Sequence, residues 1–402
     1  MIYLDNNATT AIGPEVIDAM QPYFTQHFAN PSSLHGFGCQ VKEKVQEARN
    51  KIANKLGCSS EEIIFTSSGT ESNNFCLKGM AFSNKHKGNQ IITTPIEHAS
   101  ILATCNFLEK QGFEIVYLEV DSEGFVDPLT LKNAITDRTI LISIAHANNE
   151  IGTIQDLASL LEVSNGIPFH TDAVQSFLKT DFDLRKLPVS LASFSGHKFH
   201  APKGIGFVYK RADLLTDPLI HGGHQEMSLR SGTENVPYII GLGKALTSIG
   251  SSEITHMQNL QSYLINELAS IPGIQINGPT DPNKRLCNNL NISCDCLEGE
   301  YILHELSAHG LYISTGSACQ SSHARISHVL QAIKCPFRYI HGNIRIGLSK
   351  YTTHADVQNF IGKFKQIISK PSHFKLYPCP QNIRLKPKLR PKSRLNIAEL
   401  DK

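Results

Sequence analysis

The sequence predicts an α/β fold built on a largely parallel sheet, accompanied by a smaller second domain. Three observations carry that expectation. Short apolar runs alternate with helical patterns over most of the first half of the chain and beyond, several chemistry-bearing residues fall directly after those runs, and 402 residues exceed what one compact core usually holds. The runs E-I-I-F-T (62–66), Q-I-I-T-T (90–94), F-E-I-V-Y-L (113–118), T-I-L-I-S-I (139–144), I-P-F-H-T-D (167–172) and I-G-F-V-Y (205–209) read as short buried strands. Amphipathic segments such as 41–56, V-K-E-K-V-Q-E-A-R-N-K-I-A-N-K-L, place apolar residues at helical spacing between them. A helical pattern over 253–270 precedes P-G-I-Q-I-N-G-P and bridges to the second domain, whose strands are expected at 288–294 and 342–348. In such sheets ligands gather beyond the carboxyl ends of the strands.

Composition narrows the class. Hydrophobic residues at 41% and charged residues at 18% suit a folded globular enzyme and exclude a disordered chain. No apolar stretch is long enough to cross a bilayer, and M-I-Y-L-D-N-N-A-T-T lacks the basic-then-apolar pattern of a signal peptide, so an intracellular protein is expected. The ten cysteines are scattered, without the spacing of a disulfide framework or a zinc site, and no intrinsic metal is expected. Cys294 and Cys296 form one C-x-C whose alternation places both on the same face of a strand. Net charge is +2, yet from Pro371 onward eight Lys/Arg face two Asp/Glu. The Pro-spaced stretch 385–394 has no apolar face to bury and reads as a solvated tail, with a docking arm for an acidic protein or an RNA as the alternative.

The chemistry begins with an amine and a carboxylate. Lys198 closes S-F-S-G-H-K (193–198), and Asp172 lies upstream in H-T-D-A-V-Q. That pair can hold pyridoxal phosphate by its two reactive ends, the amine at the aldehyde and the carboxylate at the pyridine nitrogen. T-S-S-G-T-E-S-N-N (66–74) follows a strand and opens a helix: Gly69 permits close backbone approach, Thr70 offers a hydroxyl and the helix terminus supplies unpaired N–H groups. Taken alone, such a turn is more readily a simple helix cap. Ser195 and His197 add donors beside the same anion, Gln175 is placed to bond the ring oxygen, and His98 follows the strand 90–94 where it could stack on the ring and pass protons.

With these motifs the chain resembles the cysteine desulfurases of the NifS/IscS type, class V aminotransferases of PLP fold type I. The resemblance runs to about residue 365 and rests on Y-L-D-N-N-A-T-T (3–10), N-P-S-S-L-H (30–35), T-S-S-G-T-E-S-N (66–73), E-H-A (97–99), H-A-N-N-E-I-G (146–152) and H-T-D-A-V-Q-S (170–176). It continues through S-F-S-G-H-K (193–198), P-K-G-I-G (202–206), R-S-G-T-E-N (230–235), T-G-S-A-C (315–319) and I-R-I-G-L-S (344–349). It implies a large PLP-binding domain (13–252) with a mostly parallel seven-stranded sheet. A smaller α+β domain (1–12 and 253–370) would carry the catalytic cysteine loop, with 371–402 a flexible basic tail outside the family pattern.

The resemblance also assigns roles. Lys198 would bond the cofactor, Gly69, Thr70, Ser195 and His197 would bind its phosphate, Asp172 its ring nitrogen and Gln175 its ring oxygen, with His98 the stacking acid/base. Asn149 and Arg345 would hold the substrate, Arg345 by a bidentate pair with its carboxylate. Thr233 would reach the phosphate of a neighbouring subunit, which implies a homodimer. Cys319, in a small, polar stretch, would be the sulfur-accepting thiolate. The implied reaction takes sulfur from L-cysteine, leaving L-alanine and a persulfide on Cys319. That sulfur passes to an acceptor such as an iron–sulfur scaffold, or to thio-cofactor or tRNA thiolation, in the cytoplasm.

The segment from Cys319 to Arg345 matches the long-loop subgroup, and Ser349 stands where many relatives carry glycine, a change expected to alter only a turn. Rival readings are a selenocysteine lyase or another class V C–S lyase, and, in a different class, a non-catalytic sulfur-delivery or nucleic-acid-associated partner. The intact set of Lys198, His98, Cys319 and Arg345 argues against the last, and a basic tail alone does not make a nucleic-acid binder.

Overall fold

The computed structural model describes residues 1–316 and 326–369. In chain order its strands are β1 (Ile2–Tyr3), β2 (Ile63–Thr66), β3 (Gln90–Thr93), β4 (Glu114–Tyr117), β5 (Thr139–Ser143) and β6 (Phe169–Asp172). They continue with β7 (Leu191–Ser195), β8 (Gly206–Lys210), β9 (Ile274–Asn277), β10 (Asn289–Cys294), β11 (Leu311–Tyr312) and β12 (Asn343–Gly347). Strands β2 to β8 form one seven-stranded sheet in the order β2-β8-β7-β6-β5-β3-β4. Only β8 runs against its neighbours, pairing antiparallel with β2 and β7, so the sheet is mostly parallel.

All six predicted runs are strands of this sheet, with ends moved by at most two residues. The seventh, β7, is L-A-S-F-S, which contains no β-branched residue and carries no strand signal of its own. Its neighbours make it a strand: Ser193 bonds His170 Nε2 at 2.9 Å across the sheet, and Phe194 stacks on Phe207 of β8 at 4.3 Å. The helix predicted over 41–56 begins earlier, at Gly36, because the His35 imidazole accepts the Gly38 N–H at 3.1 Å and caps it. It buries Val41, Val45, Ala48, Ile52 and Leu56 on one stripe and stops at Gly57, whose φ of 76° few other residues tolerate.

The C-terminal unit is a three-stranded antiparallel sheet, β12-β10-β9, entered through the helix Ser251–Ala269. Its centre is polar: Asn277 Nδ2 donates to Asn291 Oδ1 at 2.7 Å and to Ser293 Oγ at 2.8 Å, and Asn343 Nδ2 donates to the same Asn291 oxygen. The N-terminal segment bonds to both units: β1 pairs in parallel with β11 and Gly347 N–H donates to Leu4 O at 2.6 Å, while Thr10 N–H donates to His197 O at 3.0 Å. One expectation is corrected. Strand β10 ends at Cys294, and Cys296 lies in a turn with φ 51°, so the two cysteines do not share a strand face. Ser349 does shape a turn, accepting Tyr351 N–H at 3.2 Å while its own N–H donates to Thr352 Oγ1.

Candidate active site

The carboxyl ends of β2, β3, β5, β6 and β7 open on one edge of the large sheet, and the expected residues follow them. From β2 the chain passes through Ser67 to Ser68, whose hydroxyl caps the helix Gly69–Ser83 by accepting Glu71 N–H at 3.2 Å. Gly69 has no room for a side chain: a Cβ there would stand 2.8 Å from Val174 Cγ2 and 3.3 Å from Ser195 Cβ. The helix terminus is thus pressed against the end of β7, with Thr70 exposed at the next position. His197 sits on the turn Gly196–Lys198, its Nδ1 3.1 Å from Thr9 Oγ1. Burial, then the charge of Lys198, pulls its imidazole down to about 3, so it works as a neutral hydrogen-bonding group.

Asp172 ends β6 and is buried. Its Oδ1 accepts Val174 N–H at 2.9 Å and its Oδ2 accepts Asn73 Nδ2 at 2.7 Å. Gln175 donates from Nε2 to Asn7 O at 3.0 Å, while its buried Oε1 has no partner among the described residues. Lys198 Nζ donates to the carbonyls of Asn7 at 2.6 Å and Ala8 at 2.7 Å. His98 caps the helix Ala99–Lys110, and its ring is pushed below the ordinary histidine range by burial first, with Lys198 and His328 adding to that and Asp172 opposing it. Asp172 and Lys198 thus both lie near enough to His98 to act on its charge.

Arg345 is central in β12 and buried. Its Nη2 donates to Asp5 Oδ1 at 2.9 Å and its Nη1 to Asn149 O at 3.1 Å, while Nε has no partner among the described residues. Asn149 therefore meets Arg345 through its carbonyl. Next to it, Glu150 accepts from Ser327 Oγ at 2.5 Å, and burial raises its carboxyl. Cys319 and the tail 371–402 lie outside the described residues.

Thr233 is exposed at the end of an irregular segment held by two ion pairs. Glu226 closes a buried two-bond pair with Arg49 at 2.8 and 2.7 Å and also accepts Phe65 N–H; Arg230 pairs with Glu71 at 2.8 Å. Glu226, Met227 and Ser228 hold φ of 45°, 58° and 64° in succession, a strained run that the Arg49 pair pins in place.

Sequence reasoning named twelve residues and missed their supports. Asp5, Asn7 and Ala8 belong to Y-L-D-N-N-A-T-T, a motif to which no role was given; here they anchor Arg345 and Lys198. Asn73 lies inside T-S-S-G-T-E-S-N, and Ser100 two places beyond His98. Their roles depend on which strands come together, which spacing along the chain does not disclose. Glu97, buried and pushed up to about 8 by that burial, was also passed over beside His98.

The residues fit pyridoxal phosphate on structural grounds: a glycine cradle that a Cβ would fill, a buried carboxylate at the head of the sheet, an orphaned Gln175 oxygen and a lysine at the turn after β7. Comparisons agree. The aminotransferase class-V family model matches residues 2–360. A protein of Methanosarcina thermophila named cysteine desulfurase IscS is 48% identical over 375 residues, 92% of either chain. One of the same name from Dictyoglomus turgidum is also 48% identical, covering 92% of this chain and 95% of its own. Among solved structures, a NifS-like protein superposes with a TM-score of 0.85 at 40% identity over 92% of this chain and 99% of its own. SspA in complex with cysteine gives 0.79 at 36% identity, over 88% of this chain and all of the other.

Proposed function

The chain belongs to the class-V aminotransferase family, and from that premise we infer a PLP-dependent cysteine desulfurase, an enzyme that removes sulfur from L-cysteine and leaves L-alanine. The observation that carries the reading is the gathering of Lys198, Asp172 and His98 at the carboxyl edge of the large sheet, with Arg345 brought in from β12. Pyridoxal phosphate, when bound, supplies an electron sink for the substrate α-carbon. Gly69, Thr70, Ser195 and His197 would hold its phosphate, Asp172 its ring nitrogen and Gln175 its ring oxygen.

The protein's own groups divide the remaining work. Arg345, already oriented by Asp5 and Asn149, offers the substrate carboxylate its Nε, which has no partner among the described residues. Lys198 and His98 carry protons to and from the substrate, His98 as a neutral ring poised to accept one. The thiolate of Cys319 takes the sulfur atom, an S–S bond forming as the substrate Cβ–S bond breaks, and the protonated carbon skeleton leaves as L-alanine. The persulfide then passes to an acceptor protein, with iron–sulfur cluster assembly the destination that the relatives' name suggests.

Residues 13–252 form the cofactor domain in this reading, and 1–12 with 253–370 the domain that brings Arg345 and Cys319. The exposed Thr233 is suited to a site on a second copy, hence a homodimer. No described helix is long and apolar enough to cross a membrane, and a cytoplasmic setting suits the reading. Replacing Cys319 by Ala tests it: the variant should keep the visible absorbance of bound cofactor and release no sulfide from cysteine. Undiminished release would refute the persulfide route; release from selenocysteine alone would favour a selenocysteine lyase.

A further inference from the structure

Asn73 lies one turn into the helix Gly69–Ser83 and is almost fully buried. Its amide nitrogen stands 2.7 Å from Asp172 Oδ2 and 2.9 Å from Ser100 Oγ. An ionised carboxylate only accepts, so Asp172 fixes which way the amide faces: its nitrogen must point at the carboxylate. Both amide hydrogens are then committed, one to Asp172 and one to Ser100. Ser100 Oγ, having accepted, keeps its own hydrogen to give, and 2.8 Å away lies His98 Nδ1. The backbone N–H of Ser100 is aimed at the same nitrogen from 3.2 Å and can only donate. Nδ1 therefore holds its lone pair inward, and the neutral imidazole carries its proton on Nε2.

We propose that Asn73 and Ser100 are positioning residues that tie the charge on Asp172 to the tautomer of His98, fixing Nε2 as the ring atom that exchanges protons with substrate. The inference rests on the reading of Asp172 and His98 as cofactor partners. A plain core amide would satisfy its oxygen, yet Asn73 Oδ1 is buried without a partner among the described residues, while both hydrogens of the nitrogen are used. The site holds the amide for its nitrogen. Four charged or titratable groups bear on the ring from other elements: Asp172 at the end of β6, His197 and Lys198 on the turn after β7, and His328 on the helix His328–Ala332. Of these, the Asn73–Ser100 chain connects Asp172 to the ring by hydrogen bonds.

The test is ring nitrogen–proton correlation NMR of the holoenzyme labelled with [15N]histidine, with His98 assigned by its loss in His98→Gln. The wild type should show one neutral tautomer, protonated at Nε2. Ser100→Ala, nearly isosteric, removes an O–H that serves only the neutral ring, so the proton affinity of His98 should rise by about threefold and the acid limb of the kcat profile should move with it. Asn73→Ala should raise that affinity too, and the double variant should go no further than Ser100→Ala, because the two act in series. A wild-type ring protonated at Nδ1, additive shifts, or variants that lose only urea stability with His98 unmoved would each overturn the proposal. A wild-type protein that binds no pyridoxal phosphate would instead refute the site reading beneath it.

Discussion

Arg345 Nη2 lies 2.9 Å from Asp5 Oδ1, so a guanidinium on β12 is oriented by a residue at the other end of the chain. The pair leaves Nε without a partner among the described residues, a geometry suited to a second, two-bond carboxylate. Arg345→Lys keeps the charge and loses the fork; hydrogen bonds to charged groups of about 1.5–3 kcal/mol predict a KM for L-cysteine raised about 10- to 100-fold, with kcat changed less. Asp5→Ala should raise KM in the same direction by freeing the guanidinium. Steady-state alanine formation measures both, and an unchanged KM in Arg345→Lys would remove it from the substrate site.

Gly69 is a packing position before it is a binding one. A Cβ there meets Val174 Cγ2 at 2.8 Å, and overpacking of this kind costs about 1–3 kcal/mol. Gly69→Ala should therefore move the helix terminus away from Ser195 and loosen cofactor retention about tenfold, read from absorbance after dialysis. Retention equal to wild type would argue that the phosphate sits elsewhere.

The Arg49–Glu226 pair makes a stability prediction. Glu226→Ala strands a buried guanidinium, a loss of about 3–5 kcal/mol, whereas Glu226→Gln keeps the shape and part of the bonding and should lose less. Urea unfolding separates the two. Because the strained run 226–228 leads to Thr233, the Ala variant should also weaken the proposed dimer, read by sedimentation.

Acid sensitivity follows from buried histidines. His146, His170, His197 and His200 are held neutral chiefly by burial, at about 4, 3, 3 and 4 against 6.5 in ordinary surroundings. Below pH 6.5 the unfolded chain takes up protons that the folded protein refuses, so stability falls as pH drops toward 4, by about 1.4 kcal/mol per pH unit for each histidine. Glu97, raised by burial from 4.5 to about 8, acts oppositely: its contribution grows as pH falls from 8 toward 4.5 and offsets one histidine. Urea midpoints at pH 7, 6 and 5 should decline steeply; a flat profile would mean the imidazoles charge within the fold.

Most of the fold was legible because β2 to β6 and β8 are apolar runs bounded by turns. β7 was not, since Ser and Ala fill it and its strand state comes from Phe194, Phe207 and the Ser193–His170 bond. The residues named for the site were legible as short motifs, several of them at or just after the end of a strand. Asp5 and Asn73 escaped because they act on residues far away in sequence, Asp5 on Arg345 and Asn73 on Asp172 and Ser100. Ser100, though two places from His98, gains its role only from the bond that Asn73 makes to it. A one-dimensional spacing marks the reacting group and is silent on what orients it.

The central claim is that this chain takes sulfur from L-cysteine with Lys198 as the cofactor lysine. Its most direct test is to incubate the purified holoenzyme with L-cysteine and a thiol reductant and to quantify alanine and sulfide together, with Lys198→Ala alongside. Equal amounts of alanine and sulfide from the wild type, and neither from the variant, are predicted. Alanine still formed by Lys198→Ala would contradict the account.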